Sequence, residues 1–524
     1  IKICDPACGS GHMLTYAFDL LYAIYEEEGY EPAEIPEKIL TNNLYGIEID
    51  ERAGELAAFA LTMKARARQR RFFNKGVKPN ICVLENVHFD EGELKNYMDF
   101  VGRDLFTAPL QTTLRQFEEA NNFGSLIRPE VTDVDGMLKT LELKNVSGHL
   151  FLSETHKKVL QALRQADYLS PKYHVVIANP PYMGGKGMNG RLAAWLKDNY
   201  ADVKSDLFSA FVIRCSDLGG KLSHIGVMSP NVWMYLSSYE KLRNFLTSSK
   251  TFTNLVELPL SGFKGATVQI CAYNFENKHS PNLKGTFVRL VDFKGGDIEM
   301  ANFTKEAVSA KECPWKFRAT TESFRRIPGS PISYWVSAAF LKAFESGVLL
   351  REITIPRQGL ATMDNARFTR KWHEVSQRYF SSLSLEAEAA AKWFPYNKGG
   401  DFRKWYGNQE YVVNWENSGR EIKQLAISRY GSASKRVVNE DSYFKKSITW
   451  SKIGTGLPSF RLQPEGAVFD VAGMSMFPKE KDFSLLLCCL NTQIVLQLLK
   501  VLSPTLNFEA GQVGLIPIIK PLAS

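Results

Sequence analysis

Seven short apolar runs, interleaved with longer helical stretches, govern what the first half of this chain can become. They are Ile1–Cys4, Leu44–Ile49, Ile81–Leu84, His174–Ala178, Leu222–Met228, Leu255–Leu258 and Val268–Tyr273. Between the first two, Leu14, Phe18, Leu21 and Tyr25 share one helical stripe that stops at Gly29. Strands alternating with helices build an open, mostly parallel sheet that binds ligands at the C-terminal ends of its strands. The predicted fold is therefore α/β over residues 1–275, a Rossmann-like sheet with a polar, mostly helical insertion at about 90–172. Residues 276–340 read as a connecting segment containing the hinge-like Ile327-Pro-Gly-Ser-Pro331. Residues 341–524, with isolated aromatics and glycine turns, read as a second, mixed α/β domain.

Length and composition fit this division. At 524 residues the chain exceeds one ordinary domain. Its eight cysteines show no C-x-x-C spacing, which points to free thiols and a reducing compartment such as a bacterial cytoplasm. His149, His156 and His174 are scattered without cysteine companions, so no metal is expected. The run Leu485–Leu502 is broken by Asn491, Gln493, Gln497 and Lys500, and reads as a core helix rather than a membrane span. The chain opens on a strand without an initiator Met, as a piece of a longer protein would.

The first strand runs into Asp5-Pro6-Ala7-Cys8-Gly9-Ser10-Gly11 and then a helix. Two glycines allow close backbone approach to a ligand, and the helix start supplies free N–H donors. The string is neither a dinucleotide fingerprint nor a Walker loop, and a tight strand–helix turn remains the plainer reading. An acid ahead of the glycines suits a ligand carrying an ammonium group. Glu48, at the tip of the second strand, is placed to accept both hydroxyls of a ribose, while Asp50 reads as a helix cap. Glu85 and Asn86 end the third strand. Three strand tips offering groups for an amino-acid end, a ribose and an adenine describe S-adenosyl-L-methionine better than a nucleotide phosphate.

The fourth strand ends in Asn179-Pro180-Pro181-Tyr182. Pro181 has no N–H, so the Pro180 carbonyl is left free beside the Asn179 side-chain oxygen. Together they can accept two hydrogen bonds from one amino group and point its lone pair outward, with Tyr182 as a stacking face. A rigid exit turn would look the same. The following Gly184-Gly185-Lys186-Gly187 is either a lip touching phosphate or a plain flexible loop.

The motif pair Asp5–Gly11 and Asn179–Tyr182, in that order, resembles adenine-specific DNA methyltransferases. Ser205-Asp206-Leu207-Phe208 and Gly219-Gly220-Lys221 before Ile225–Pro230 resemble the next motifs of that group. Gln358-Gly-Leu-Ala-Thr362, Asn365, Phe368 and Trp372 are similar to the recognition region of PglX-type methyltransferases of BREX phage-defence systems, related to type IIG restriction–modification enzymes. The resemblance implies a methyltransferase sheet followed by a target-recognition domain, double-stranded DNA as substrate, and other phage-defence subunits as partners. It implies that Asp5–Gly11 surround the methionine part of the cofactor, Glu48 takes the ribose, Ile49 packs on the adenine, and Glu85 or Asn86 reads the adenine edge. Asn179 and Pro180 would hold the N6 amine of a flipped adenine against Tyr182, with Phe263 a second aromatic for that base. The family also has a short cofactor-contacting segment ahead of the first strand.

Charge supports a polyanion partner. Residues 341–524 hold 24 Lys+Arg against 17 Asp+Glu, and 392–461 hold 13 against 6. Lys398, Arg403, Lys404, Lys435, Arg436, Lys445 and Lys446 lie there among aromatics such as Trp393, Phe402, Trp405, Tyr406 and Trp450, and are the phosphate candidates. Cys313-Pro314 reverses the order that a cytosine-C5 enzyme needs. Two rivals remain: an enzyme methylating RNA or protein amides, which would lack so large a basic domain, and a non-catalytic DNA-binding fragment.

Overall fold

In the computed structural model the apolar runs become the centre of one twisted sheet. The residues described are 1–519 other than 103–106, 145–149, 171, 263–266, 382–390, 455, 457 and 504–506. The strands are β1 (Ile3–Asp5), β2 (Leu44–Glu48), β3 (Asn80–Val83), β4 (Tyr173–Ala178), β5 (Gly219–Pro230), β6 (Thr251–Glu257), β7 (Ile270–Glu276), β8 (Lys284–Arg289) and β9 (Lys316–Thr320). They lie in the order β3-β2-β1-β4-β5-β7-β6-β8-β9. β1 runs parallel to both β2 and β4, and β7 is antiparallel between β5 and β6. The chain builds outward from β1 to β3, then returns to add β4 on the other side. That reversal makes the loops after β1 and β4 diverge and opens a crevice at their C-terminal ends.

The helix His12–Glu27 buries Leu14, Phe18 and Leu21 on the sheet, as its stripe requires, and leaves Tyr25 half-buried with its hydroxyl on Asn43 Oδ1. Between β3 and β4 the described segments of 91–168 are mostly helical, ending in Leu150–Tyr168. Two compact units result, Ile1–Arg325 and Arg326–Ser524. Residues 276–325 are therefore not a connector: they supply β8 and β9, with Asp297–Ser309 as a helix between them. Pairing with β8 covers the free edge of β6, a demand of tertiary structure that six residues of Lys-Gly-Thr-Phe-Val-Arg do not announce. The unit boundary falls just before the Pro-Gly-Ser-Pro segment.

The second unit is mixed α/β. One sheet orders Thr369–Lys371, Tyr411–Asn414, Trp393–Asn397 and Val468–Phe469; another orders Arg461–Gln463, Ser447–Ser451 and Gly473–Met476. The apolar run expected as a single core helix is two helices, Glu480–Leu490 and Gln493–Leu502, bent by 79°. At the break Thr492 caps the second helix through Val495 N–H, and the Asn491 side chain exchanges hydrogen bonds with the N–H and C=O of Phe460, at 3.1 and 2.9 Å. Among the described residues no single helix is long and apolar enough to cross a membrane.

The Gln358–Thr362 string packs edge-on against the first of these sheets. Leu360 N–H donates to the Phe469 carbonyl at 2.8 Å, and a Cβ at Gly359 would stand 1.8 Å from that same oxygen. Gly359→Ala must push two main-chain segments apart, so it should cost about 1–3 kcal/mol. Urea unfolding of the second unit checks this; an unchanged midpoint would show that Gly359 is not fixed by close approach.

Candidate active site

Asp5 closes β1 and is buried, with its carboxylate accepting from Ala7 N–H at 3.1 Å. Burial raises its pKa from 3.8 to about 7; the Ala7 bond opposes this and the charge of Glu48 adds to it. The loop then turns through Gly9 (φ +51°) and Gly11 (φ +83°), both left-handed, and a Cβ at Gly11 would stand 3.1 Å from Ala57. Glu48 ties this loop to β2. Its Oε2 accepts from Gly9 N–H at 2.7 Å, and Oε1 accepts from Ile49 and Asp50 N–H at 2.9 and 3.1 Å. Three of roughly four acceptor positions are thus used by backbone. Asp50 caps the next helix through Arg52 and Ala53 N–H.

One cavity of about 310 Å³ runs from this loop to the end of β4. Pro6, Ala7, Glu48 and Ile49 line one end, Asn179 and Pro181 the other, and Phe123–Leu126 a side wall. Its size and its mix of a carboxylate with apolar walls suit an elongated ligand with polar ends. Cys8, Gly9, Ser10 and Gly11 continue the loop but do not line the cavity. Glu85 and Asn86 do not line it: Glu85 Oε2 accepts from Gln161 at 2.7 Å, and Asn86 Oδ1 accepts at 2.9 Å from the N–H of Asn121, the neighbour of the lining residue Asn122.

The wall Phe123–Leu126 comes from the insertion and carried no sequence motif. It is fixed by Arg214, which is 2% exposed and donates from Nε to the Ser125 carbonyl at 2.7 Å and from Nη2 to the Leu169 carbonyl at 2.6 Å. The Ser125 hydroxyl in turn donates to the Pro6 carbonyl. Phe123 stacks on Trp195 of the helix Gly190–Asn199, with ring centroids 4.5 Å apart. The sole hint in the sequence was a Gly-Ser pair inside an otherwise helical stretch.

At the far end Pro180 is buried, while Asn179, Pro181 and Tyr182 are exposed. The Tyr182 hydroxyl donates to Asn179 Oδ1 at 2.9 Å, and its ring meets Phe208 edge-on. Burial holds that hydroxyl up at about 12, so it remains a donor at neutral pH. Asp206 anchors the loop by accepting from Met183 N–H at 3.0 Å, and burial raises its pKa. Lys186 is exposed on the turn that follows. Phe263 lies outside the described residues.

In the second unit the basic residues are partly spoken for. Lys404 donates to the Asn491 carbonyl, Lys435 to the Tyr430 carbonyl at the end of the helix Glu416–Tyr430, and Lys446 pairs with Glu480 at 2.7 Å. Arg436 lies over the Tyr430 ring, and Arg403 reaches Glu410 at 3.5 Å. Lys398 sits above Tyr411, and Lys445 is exposed. Charge counting alone therefore overstated the freely presented cations.

The Asp5 geometry has a measurable consequence. Its folded pKa lies above the unfolded one, so its contribution to stability is complete below about pH 4 and lost as pH rises to about 7. In Asp5→Asn the melting temperature relative to wild type should climb across that window. A constant difference would show that the carboxyl is not desolvated.

Comparisons with known proteins find relatives for both halves of the chain. Residues 42–263 match the family model "Eco57I restriction-modification methylase", and residues 1–82 match "MmeI, DNA-methyltransferase domain". The chain is 37% identical to the adenine-specific methyltransferase BrxX of Escherichia coli O9:H4 (strain HS), over 99% of its own length and 44% of that protein. It is 35% identical to the adenine-specific methyltransferase PglX of Lacticaseibacillus casei (strain Zhang), again over 99% of this chain and 44% of the other. The chain thus spans less than half the length of these relatives. The type IIL restriction-modification enzyme MmeI, solved in complex with DNA, shares the fold over 97% of this chain and 61% of its own, at 12% identity and a TM-score of 0.52. By sequence, then, nearly the whole of this chain is similar to less than half of two adenine-specific methyltransferases, BrxX and PglX, and its first half matches restriction–modification methylase models.

Proposed function

We propose that the cavity binds S-adenosyl-L-methionine and that the chain methylates N6 of an adenine flipped out of double-stranded DNA. It would mark specific sites in host DNA within a phage-defence or restriction–modification system, alongside that system's other subunits. Residues 326–524 would select the target. The observation that carries the reading is that one cavity is lined by Pro6, Ala7 and Glu48 and also by Asn179 and Pro181.

Pro6 and Ala7 would lie along the methionine part, with the left-handed turn at Gly9 and Gly11 keeping side chains out of its path. Glu48 keeps an acceptor position for a ribose hydroxyl, and Ile49 packs on the adenine. Bound in this way, the cofactor supplies a methyl group made electrophilic by its sulfonium. At the other end the adenine amine donates to Asn179 Oδ1 and to the Pro180 carbonyl, which fixes its lone pair toward the cavity. The Tyr182 hydroxyl now on Asn179 Oδ1 has to yield that position, while its ring stays as the stacking face.

Tritium transfer from labelled cofactor into DNA tests the assignment. Asn179→Ala should lower the rate at least ~100-fold, the order seen when a positioned polar group is removed from an active site. Cofactor affinity by calorimetry should stay within about twofold of wild type. If Asn179→Ala still methylates, Asn179 does not hold the amine. Tyr182→Phe should remain active and Tyr182→Ala should not; equal loss in both would give the hydroxyl, not the ring, the leading role. Lys398→Ala and Lys445→Ala should each reduce the salt slope of DNA binding by about one, and an unchanged slope removes that lysine from the interface.

A further inference from the structure

The aromatics of the basic segment fall into two sets. Phe394, Tyr396, Trp415 and Trp450 are buried in the cores of the second unit. Phe402, Trp405 and Tyr406 are 61%, 49% and 58% exposed, all on the loop 398–410 between the strands Trp393–Asn397 and Tyr411–Asn414. Three large rings held in water on one loop form the kind of apolar patch that marks a binding surface.

The loop is held stiffly. Trp405 N–H donates to the Phe460 carbonyl at 3.2 Å, and its own carbonyl accepts from Leu462 N–H at 2.8 Å. Arg403 N–H donates to Ser459 Oγ at 3.1 Å, and the buried Asn408 side chain donates to the Asp401 carbonyl at 2.9 Å. The backbone is strained as well, with Trp405 at φ +72° and Asn408 at φ +60°. A bulky aromatic in the left-handed region persists only where its surroundings over-determine it, and such strain gathers at ligand sites.

Arg461, bridged to Trp405 through the backbone, is 0% exposed. Its guanidinium reaches the Ser459 and Ser451 hydroxyls at 3.4 Å each, and its Nε has no hydrogen-bond partner among the described residues. Burial pushes its pKa down to about 10, so it stays charged at neutral pH. The loop itself carries Lys398, Arg403 and Lys404 against Asp401 and Glu410, one positive charge in excess. Rings interleaved with excess positive charge suit a partner that offers both flat faces and anions.

We propose that the loop 398–410 is a stacking element for the target duplex, with Phe402 and Tyr406 wedging against the faces of bases at a step that opens to admit them and Trp405 as the fixed pivot between them. This rests on reading the second unit as the DNA-recognition domain. It names rings, rather than cations alone, as what that domain holds DNA with.

The test is anisotropy of the full chain with a duplex that the wild-type chain methylates. Phe402→Ala and Tyr406→Ala should each weaken binding about tenfold or more. Both rings are exposed, so melting temperature and cofactor affinity should match wild type, and the salt slope should not change, because no phosphate contact is lost. Phe402→Trp should restore affinity; failure to restore it would assign the loss to loop structure and overturn the proposal. A wild-type chain that binds and methylates the duplex, with both alanine variants binding equally well, overturns the stacking role and leaves methyl transfer standing. A wild-type chain that binds no duplex overturns both.

Discussion

The contact on which the site depends runs from the Gly9 N–H to Glu48 Oε2 at 2.7 Å. It is charge-assisted, and with the bonds to Ile49 and Asp50 N–H it locks the first loop to the tip of β2. Without it the turn through Gly9 and Gly11 would have no fixed partner. The contact exists because β1 and β2 are neighbours in a parallel sheet, with Asp5 paired in register to Gly46. Sheet topology thus becomes site geometry through one carboxylate.

A second dependence runs through the insertion. Arg214 is a buried cation satisfied by two backbone carbonyls, and those carbonyls belong to Ser125, in the cavity wall, and Leu169, at the approach to β4. Taking a guanidinium out of water is expensive unless its donors are used. The segments it joins are therefore held together by the cost of separating them. The stack of Phe123 on Trp195 and the Asn122–Asn189 bond clasp the same wall to the helix after the Asn-Pro-Pro-Tyr loop. The Pro6–Glu48 and Asn179 ends of the cavity share this wall, so a change in the insertion reaches both.

In the second unit packing separates residues that look alike in sequence. Trp415 and Trp405 both sit in basic surroundings, yet one is core and the other stands on a strained loop in water. Lys435, a phosphate candidate by sequence, also donates to a carbonyl at the end of a helix. Charge density along a chain reports what a surface could hold, while hydrogen bonding in three dimensions decides which charges remain to hold it.

The strands, their alternation with helices and both loop motifs were legible in the sequence, because period, proline and glycine act locally. So were the cap at Asp50 and the stripe Leu14–Phe18–Leu21. The strands β8 and β9, the break at Asn491 and the wall Phe123–Leu126 were not. Each is set by a partner far along the chain: β6 for β8, Phe460 for Asn491, Pro6 and Arg214 for Ser125. The sequence by itself determined an α/β sheet with Asp5–Gly11 and Asn179–Tyr182 at strand ends. Only the tertiary structure decided that those ends open into one cavity, because strand order, and with it the crevice beside β1, is settled by which edges pair rather than by any local signal.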